Sequence, residues 1–322
     1  MGLGGIMKRA VFFLLPLMAG LSWAQQDMPS DEPTPSGTAA TVVNFPVEKV
    51  QTPSMADLYC AGFLRKPEPK NNFVTGGTES PFNTNYGNGE AIYLHGKGYE
   101  VGQQYTIIRE LQDPNRYELY SGQFAGIKAA GRPYEELARV RIIDTRSRMA
   151  IARIEFSCDT VAPGDLVVQY EAKKLVNFHP PLRFDRFALA NGQPSGRILM
   201  AKDFDSELGT GGTVYVNIGA NQGLKVGDFL RAERSGTAVT ADPVDSLSFR
   251  ADSYEMTQNE PPVINPTMLD RGHGPVIYTN DMPRRGVGEI VILGTTPTTA
   301  TGMIVFSLEP VHVGDTVELD QQ

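Results

Sequence analysis

The chain has 322 residues, 41% hydrophobic and 20% charged, with a formal net charge of −8. That acidic balance argues against nucleic acid and anionic lipid as partners, since both are held by clustered Lys and Arg. The length suits two ordinary domains, and frequent Gly and Pro between short apolar runs point to many turns and short strands.

Residues 1–24 read as a cleavable signal peptide. Lys8 and Arg9 precede an apolar run, Ala10 to Leu21, that is short for a bilayer span, and Ser22-Trp23-Ala24 offers small residues for cleavage before Gln25. An uncleaved anchor is the alternative. The reading predicts an exported chain, periplasmic or extracellular, with no membrane insertion after cleavage. The single Trp leaves with the signal, so a sugar-binding face built on tryptophan is excluded, although the 12 Tyr remain to supply one.

Residues 25–57 are rich in Pro, Ser, Thr and acids and poor in large apolar side chains, the composition of a disordered leader. Within it, TVVNFPVEKV is a candidate edge strand limited by its Pro. A first β-domain is expected over 58–175, beginning at LYCAGFLRK as a strand. EAIYLHG and QYTIIREL follow as strands around the Gly-rich HGKGYEVG, and Pro133 opens a short helix through Leu137 before a strand resumes at Val140. Residues 176–194 read as a linker with aromatic anchors. A second β-domain over 195–322 carries a long polar insert at about 235–285, a length that is usually functional or disordered.

The two domains repeat one another. VYVNIGANQGLKVGDFLRAER matches IYLHGKGYEVGQQYTIIRE if the first copy is three residues shorter in the loop, aligning Tyr93 with Tyr215, Gly98 with Gly223 and Gly102 with Gly227. Residues 138–167 then fall without a gap on 288–317, with ten of thirty positions identical, among them Ile142/Ile292, Ile154/Ile304 and Gly164/Gly314. Self-similarity of this kind is domain duplication. In each copy a strand, a four-residue turn and a second strand form a hairpin. The two-residue strand period places Ile154, Phe156 and Cys158 on one face, as it does Ile304, Phe306 and Leu308, so Cys158 stands where the second copy has a core leucine. The expected fold class is all-β, two tandem small barrel-like domains after a signal peptide and disordered leader.

Gly164-Asp165, Gly227-Asp228 and Gly314-Asp315 fit tight turns in which Gly takes a positive φ and Asp bonds nearby backbone; three carboxylates gathered for catalysis is the competing reading. Cys60 and Cys158 are the only cysteines, and an even count in an exported chain favours a bridge over two buried thiols. Such a bridge closes a loop of nearly a hundred residues and constrains the unfolded chain by about 4 to 5 kcal/mol. No catalytic, cofactor or metal site is expected. His95, His179, His273 and His312 lack metal-ligand spacing. The classes defined by Gly-x-Ser-x-Gly, His-Glu-x-x-His and the phosphate-binding Gly-Lys-Ser/Thr have no match in the sequence. DFDSELG alternates Asp203, Asp205 and Glu207 as a calcium loop would begin, but Leu208 and Tyr215 stand where that loop needs Gly and Glu, leaving a weak calcium site against a solvated acidic loop.

VYVNIGANQGLKVGDFLRAER followed by GEIVILGTTPTTATGMIVFSLEPVHVGDTVEL resembles the carboxy-terminal domain of flagellar assembly protein T, and is similar to exported bacterial proteins that carry the same β-unit, some with a peptidoglycan-binding LysM module. The resemblance is clearest over 210–234 and 286–320 and extends more weakly to 88–172. It implies a noncatalytic part of the cell envelope. The resulting expectation is an exported scaffold or adaptor that binds another envelope protein through its β-domains. The alternative is a module for peptidoglycan or another glycan, and a hydrolase using Asp203 and Glu207 ranks third.

Overall fold

The computed structural model describes residues 51–79, 83–114, 117–173, 184–235 and 284–320. The expected signal peptide, the leader up to residue 50 with TVVNFPVEKV, and residues 236–283 of the insert lie outside the described residues.

In the first half, a helix α1 (Met55–Cys60) leads into β1 (Phe63–Arg65), β2 (Phe73–Gly77), β3 (Ala91–His95), β4 (Gln104–Glu110), a helix α2 (Gln123–Ala130), β5 (Arg132–Asp144), β6 (Ala150–Ser157) and β7 (Leu166–Gln169). The second half supplies β8 (Ser195–Ala201), β9 (Glu207–Leu208), β10 (Thr213–Val216), β11 (Phe229–Arg234), β12 (Arg285–Thr295), β13 (Ala300–Ser307), β14 (Val311–His312) and β15 (Thr316–Asp320). Two closed six-stranded antiparallel barrels result. The first runs β5-β4-β7-β2-β3-β6 and closes through β5–β6, with β1 added along the start of β5; the second runs β12-β11-β15-β8-β10-β13.

The two orders are one order, strand for strand, and the registers agree. Ile107 faces Ala138 and Val167 in the first barrel as Ala232 faces Gly288 and Val317 in the second, and the β4–β5 and β11–β12 ladders each slip at the next residue. Tyr93 opposite Ile151 becomes Tyr215 opposite Thr301. The three extra residues of the second copy form a 3-10 turn, Ala220–Gln222. Each barrel encloses its own apolar core: Val74, Ile92, Leu94, Ile107, Val140 and Ile154 in the first, Ile198, Val214, Val216, Leu230, Ile290 and Ile304 in the second.

Four sequence expectations need correction. The strand expected at LYCAGFL starts only at Phe63, and Leu58 to Cys60 instead end helix α1, which Ser54 and Asp57 open with a capping box: Ser54 Oγ accepts from the Asp57 amide at 3.2 Å and Asp57 Oδ2 from the Ser54 amide at 2.8 Å. The leader therefore ends before residue 57. The helix expected from Pro133 to Leu137 is the start of strand β5; a Pro near a strand's beginning is tolerated, and buried Tyr134 and Leu137 hold the segment in the sheet. The helix of this region is α2, earlier in the chain.

The third correction concerns the hairpin faces. A β-bulge lets Arg139 face Phe156 while Val140 faces Ile154, and the second copy repeats it with Glu289 opposite Phe306 and Ile290 opposite Ile304. The extra residue flips the alternation. Ile154 and Ile304 point into the barrels, whereas Phe306 and Leu308 join an outer cluster with Leu58, Ala61 and Phe184. Cys158 thus occupies an outer-face position, not a barrel-core one.

The fourth concerns the linker. Residues 184–194 pack on the second barrel as α1 and β1 pack on the first. Phe184 meets Phe306 edge-on at 5.3 Å, as Tyr59 meets Phe156 at 6.4 Å. Arg284 donates to the Ala188 carbonyl, at the same repeat positions where Tyr134 pairs with Phe63. The described part of that segment, FDRFALANGQP, is therefore the opening of the second repeat.

Candidate functional site: the seam between the barrels

Residues 58–65 leave α1 and run between the barrels, and both barrels donate to their carbonyls. From the first barrel's side, Lys173 Nζ reaches Leu58 O at 2.7 Å, and Glu136 accepts from the Gly62 amide at 3.1 Å. From the second, Lys202 Nζ bonds Cys60 O at 2.8 Å, Tyr215 Oη bonds Ala61 O at 3.1 Å, Thr301 Oγ1 bonds Gly62 O at 3.0 Å and Thr299 Oγ1 bonds Leu64 O at 2.5 Å. A buried backbone needs partners for its polar groups, and side chains supply them here where no second ladder does. Leu64 packs with Leu199, Met200 and Tyr215 of the second barrel, and Leu58 and Ala61 with Val291, Met303 and Phe306.

Gly62 permits this close approach. Its φ is +68°, and a Cβ there would lie 2.5 Å from Tyr134 O and 2.6 Å from Tyr215 Oη. The Cys60–Cys158 disulfide is formed, and ties the end of α1 to the first barrel just past β6.

A second contact crosses the seam. The β4–β5 connection carries Leu119 and Tyr120 into the core of the second barrel, and Gln123 fixes them: its Oε1 accepts from the Leu119 amide at 2.7 Å and its Nε2 donates to Leu199 O at 2.9 Å. Arg197 lies 4.8 Å from the Tyr120 ring centroid.

Where the seam opens to solvent there is a cleft of about 330 Å³, lined by Thr106, Glu136, Lys173, Leu293 and Thr301 among others. Glu136 is paired with Lys173 at its floor, and burial, opposed by that ammonium, raises its carboxyl above the usual range. Nearby, Tyr59 and Tyr170 stack at 6.1 Å with their hydroxyls 2.8 Å apart, and the Arg139 guanidinium sits 5.4 and 5.7 Å from the two rings. Burial pushes the Tyr215 phenol well above its ordinary value, so it remains a donor.

The Gly-Asp turns form as expected, with φ of 95°, 95° and 105° at Gly164, Gly227 and Gly314. Asp165, Asp228 and Asp315 accept from the amides of Ala162, Lys225 and His312 at 2.7 to 2.8 Å. The three carboxylates serve separate turns. Asp165 and Asp315 have a further role that turn chemistry did not reveal. Arg109 makes a two-pronged pair with Asp165, both bonds 2.8 Å, and reaches Thr160 O; Arg234 does the same with Asp315, at 2.9 and 2.7 Å, and reaches Pro310 O. Arg109 and Arg234 occupy equivalent positions in IIRE and RAER, so the repeat alignment held the signal.

Asp203, Asp205 and Glu207 are all exposed, and among the described residues no group of three metal-capable side chains comes together. The weak calcium site is not assembled there. Glu207 instead pairs in β9 opposite His312 in β14, with their side chains 3.9 Å apart. His95 is exposed against Phe73, and His179 and His273 lie outside the described residues. The seam residues Gly62, Lys202, Thr299 and Thr301 carried no sequence signal, because nothing in a one-dimensional pattern brings residue 62 to residue 301.

No family model and no curated protein matches the chain.

Proposed function

We propose that the protein is an exported, non-enzymatic scaffold of the cell envelope that presents two copies of one barrel in a fixed mutual orientation to another envelope protein. The observation that carries this is the seam: a strut whose carbonyls are bonded by four side chains of the second barrel while its disulfide and β1 belong to the first. Tandem modules meant to move independently are joined by exposed linkers with few crossing contacts. Here the contacts crossing are buried, directional and covalently anchored, which suits a part whose task is geometry. The disulfide supports an oxidising compartment, in keeping with the signal-like first 24 residues. The resemblance to the carboxy-terminal domain of flagellar assembly protein T points the same way.

The test is crosslinking in cells. A photoreactive residue at Thr106 or Val226, beside the cleft, is expected to capture one envelope protein reproducibly; capture of nothing from either position would defeat the reading. The stacked Tyr59 and Tyr170 beside Arg139 favour one second reading, a glycan face that binds peptidoglycan or another polysaccharide. Purified sacculi separate the two. A scaffold for protein stays in the supernatant, whereas a glycan module sediments and loses binding with Tyr170→Ala.

A further inference from the structure

The first repeat gives two things to the second: the buried strut around Leu64 and the Leu119–Tyr120 plug. The second repeat has its own strut, and the repeat offset that carries Arg109 to Arg234 and Tyr59 to Phe184 carries Leu64 to Leu189. Leu64 is 0% exposed, covered by Leu199, Met200 and Tyr215 of the next barrel, whereas Leu189 is 86% exposed and Phe187 beside it 49%. A large apolar side chain held outward on an ordered strut is informative in a way that a lone surface leucine is not.

The mirror image holds at the other end. The face of the second barrel that receives the first strut has an uncovered counterpart on the first barrel. Leu199 becomes exposed Thr75, buried Tyr215 becomes half-buried Tyr93, and Thr301 becomes half-buried Ile151. A Cβ on Gly314 would meet the Tyr120 ring at 2.8 Å, while one on the equivalent Gly164 meets nothing within 4 Å among the described residues. Among the described residues there are therefore one used seam and two unmatched half-seams, a donor strut at one end and a receiving face at the other.

We propose that the chain self-associates head to tail, the Phe187–Leu189 strut of one copy seating on the Thr75, Tyr93 and Ile151 face of the first barrel of the next. Charge is compatible: Arg153, two residues along β6 from Ile151, borders the receiving face, and Asp185 lies on the strut. Such an interface is heterologous and leaves each added copy with a free strut, so growth continues unless a ring closes. The inference does not rest on the scaffold reading, since it follows from comparing the two halves of the same chain.

Sedimentation of the purified, oxidised chain over a concentration series tests it. The expected mass rises with concentration past that of a dimer. Leu189→Arg and Thr75→Arg, both at exposed positions that the fold tolerates, each weaken association by roughly tenfold or more, the first by bringing a cation to Arg153 and the second by placing a bulky charge under Leu189, and the doubly altered seam sets two cations against each other. Mixed in equal amounts, the two variants form a capped dimer and nothing larger, because each retains one good half-seam. A chain that stays monomeric at every concentration, an oligomer that either substitution leaves intact, or a mixture no heavier than its components would overturn the proposal. A monomer that still captures a partner in cells would leave the scaffold reading standing, so the two ideas fail separately.

Discussion

At position 139 the first barrel carries Arg, and at the equivalent position 289 the second carries Glu, although both face the phenylalanine of the same bulge. Arg139 lies against the Tyr59 and Tyr170 rings; Glu289 is 1% exposed, and burial together with the nearby Asp320 carboxylate raises it to about 8. A cation at one address and a buried carboxyl at its equivalent, over matching inner registers, show where each barrel is constrained. Inward positions answer to the packing of a closed sheet and stay apolar, as Val140 and Ile154 match Ile290 and Ile304. Outward positions answer to whatever lies against them, and the two barrels have different neighbours. Loss of the elements that differ should therefore cost the arrangement of the barrels, and loss of those that agree should cost the barrels themselves.

The disulfide exists only in the first repeat, where Cys158 stands for Leu308. Replacing Cys60 and Cys158 together by Ser is expected to lower unfolding stability by about 4 kcal/mol, from the loop the bridge closes, and a matching loss should appear on reduction of the unaltered protein. Chemical denaturation with and without reductant measures it. A loss below about 1 kcal/mol would mean that packing of Leu58 and Ala61 already holds the strut.

Gly62 and Gly164 sharpen the contrast between seam and turn. Both have positive φ, but only at Gly62 does a Cβ run into fixed backbone. Gly62→Ala is expected to cost roughly 3 kcal/mol or more and to loosen the seam, whereas Gly164→Ala costs about 1 kcal/mol for the backbone conformation alone. Limited proteolysis distinguishes the two, since a loosened seam exposes residues 58–65 while the barrels stay protected.

The Arg-Asp clamp is what the barrels share, and its burial differs. The Arg234 side chain is 11% exposed and that of Arg109 36%, each paired with an aspartate at most 5% exposed. Removing one partner of a buried pair strands the other charge. Arg234→Met is accordingly expected to cost on the order of 3 kcal/mol and Arg109→Met roughly 1 to 2, because solvent already screens the more exposed guanidinium of the Arg109 pair and the pair loses less. Equal losses would show that the turn, with its own amide bonds to Asp165 and Asp315, carries the strength of both sites.

These particulars also mark what a one-dimensional reading reaches. The duplication, the hairpins, the Gly-Asp turns and the disulfide were legible because each is local, or repeated, or forced by a count of two cysteines. The face of Phe156 was not, since one bulged residue reverses a period of two and no composition announces it. Helix α1 was hidden by the leader composition around it, despite the Ser54 and Asp57 of its capping box. The strut was illegible for a different reason: its bonds join residues as far apart as Gly62 and Thr301, and a threonine at position 299 or 301 reads from sequence as an ordinary strand residue.

The smallest effect expected is the most specific to the Arg139 and Glu289 contrast. An unfolded Glu titrates in the ordinary carboxylate range, near 4.5, and folded Glu289 near 8, so between those values the folded chain binds more protons than the unfolded one. Stability then falls as pH rises through that window, and the contribution of Glu289 is complete only below it. Glu289→Gln removes the titration. The variant should match the parent at about pH 4.5 and exceed it by on the order of 1 to 2 kcal/mol at about pH 8, less than the full shift implies because water and the neighbouring Arg231 relax around the charge. Glu233, which burial raises to about 7 against the pull of Arg284, adds a slope of the same sign that the Gln variant leaves in place. Arg139→Met in the first barrel leaves both glutamates in place, so its curve should keep the parent's slope and run parallel to it. If the two curves for Glu289→Gln and the parent run parallel, Glu289 is charged in the folded state throughout, and its place in the second barrel is held by Arg231 rather than by its proton.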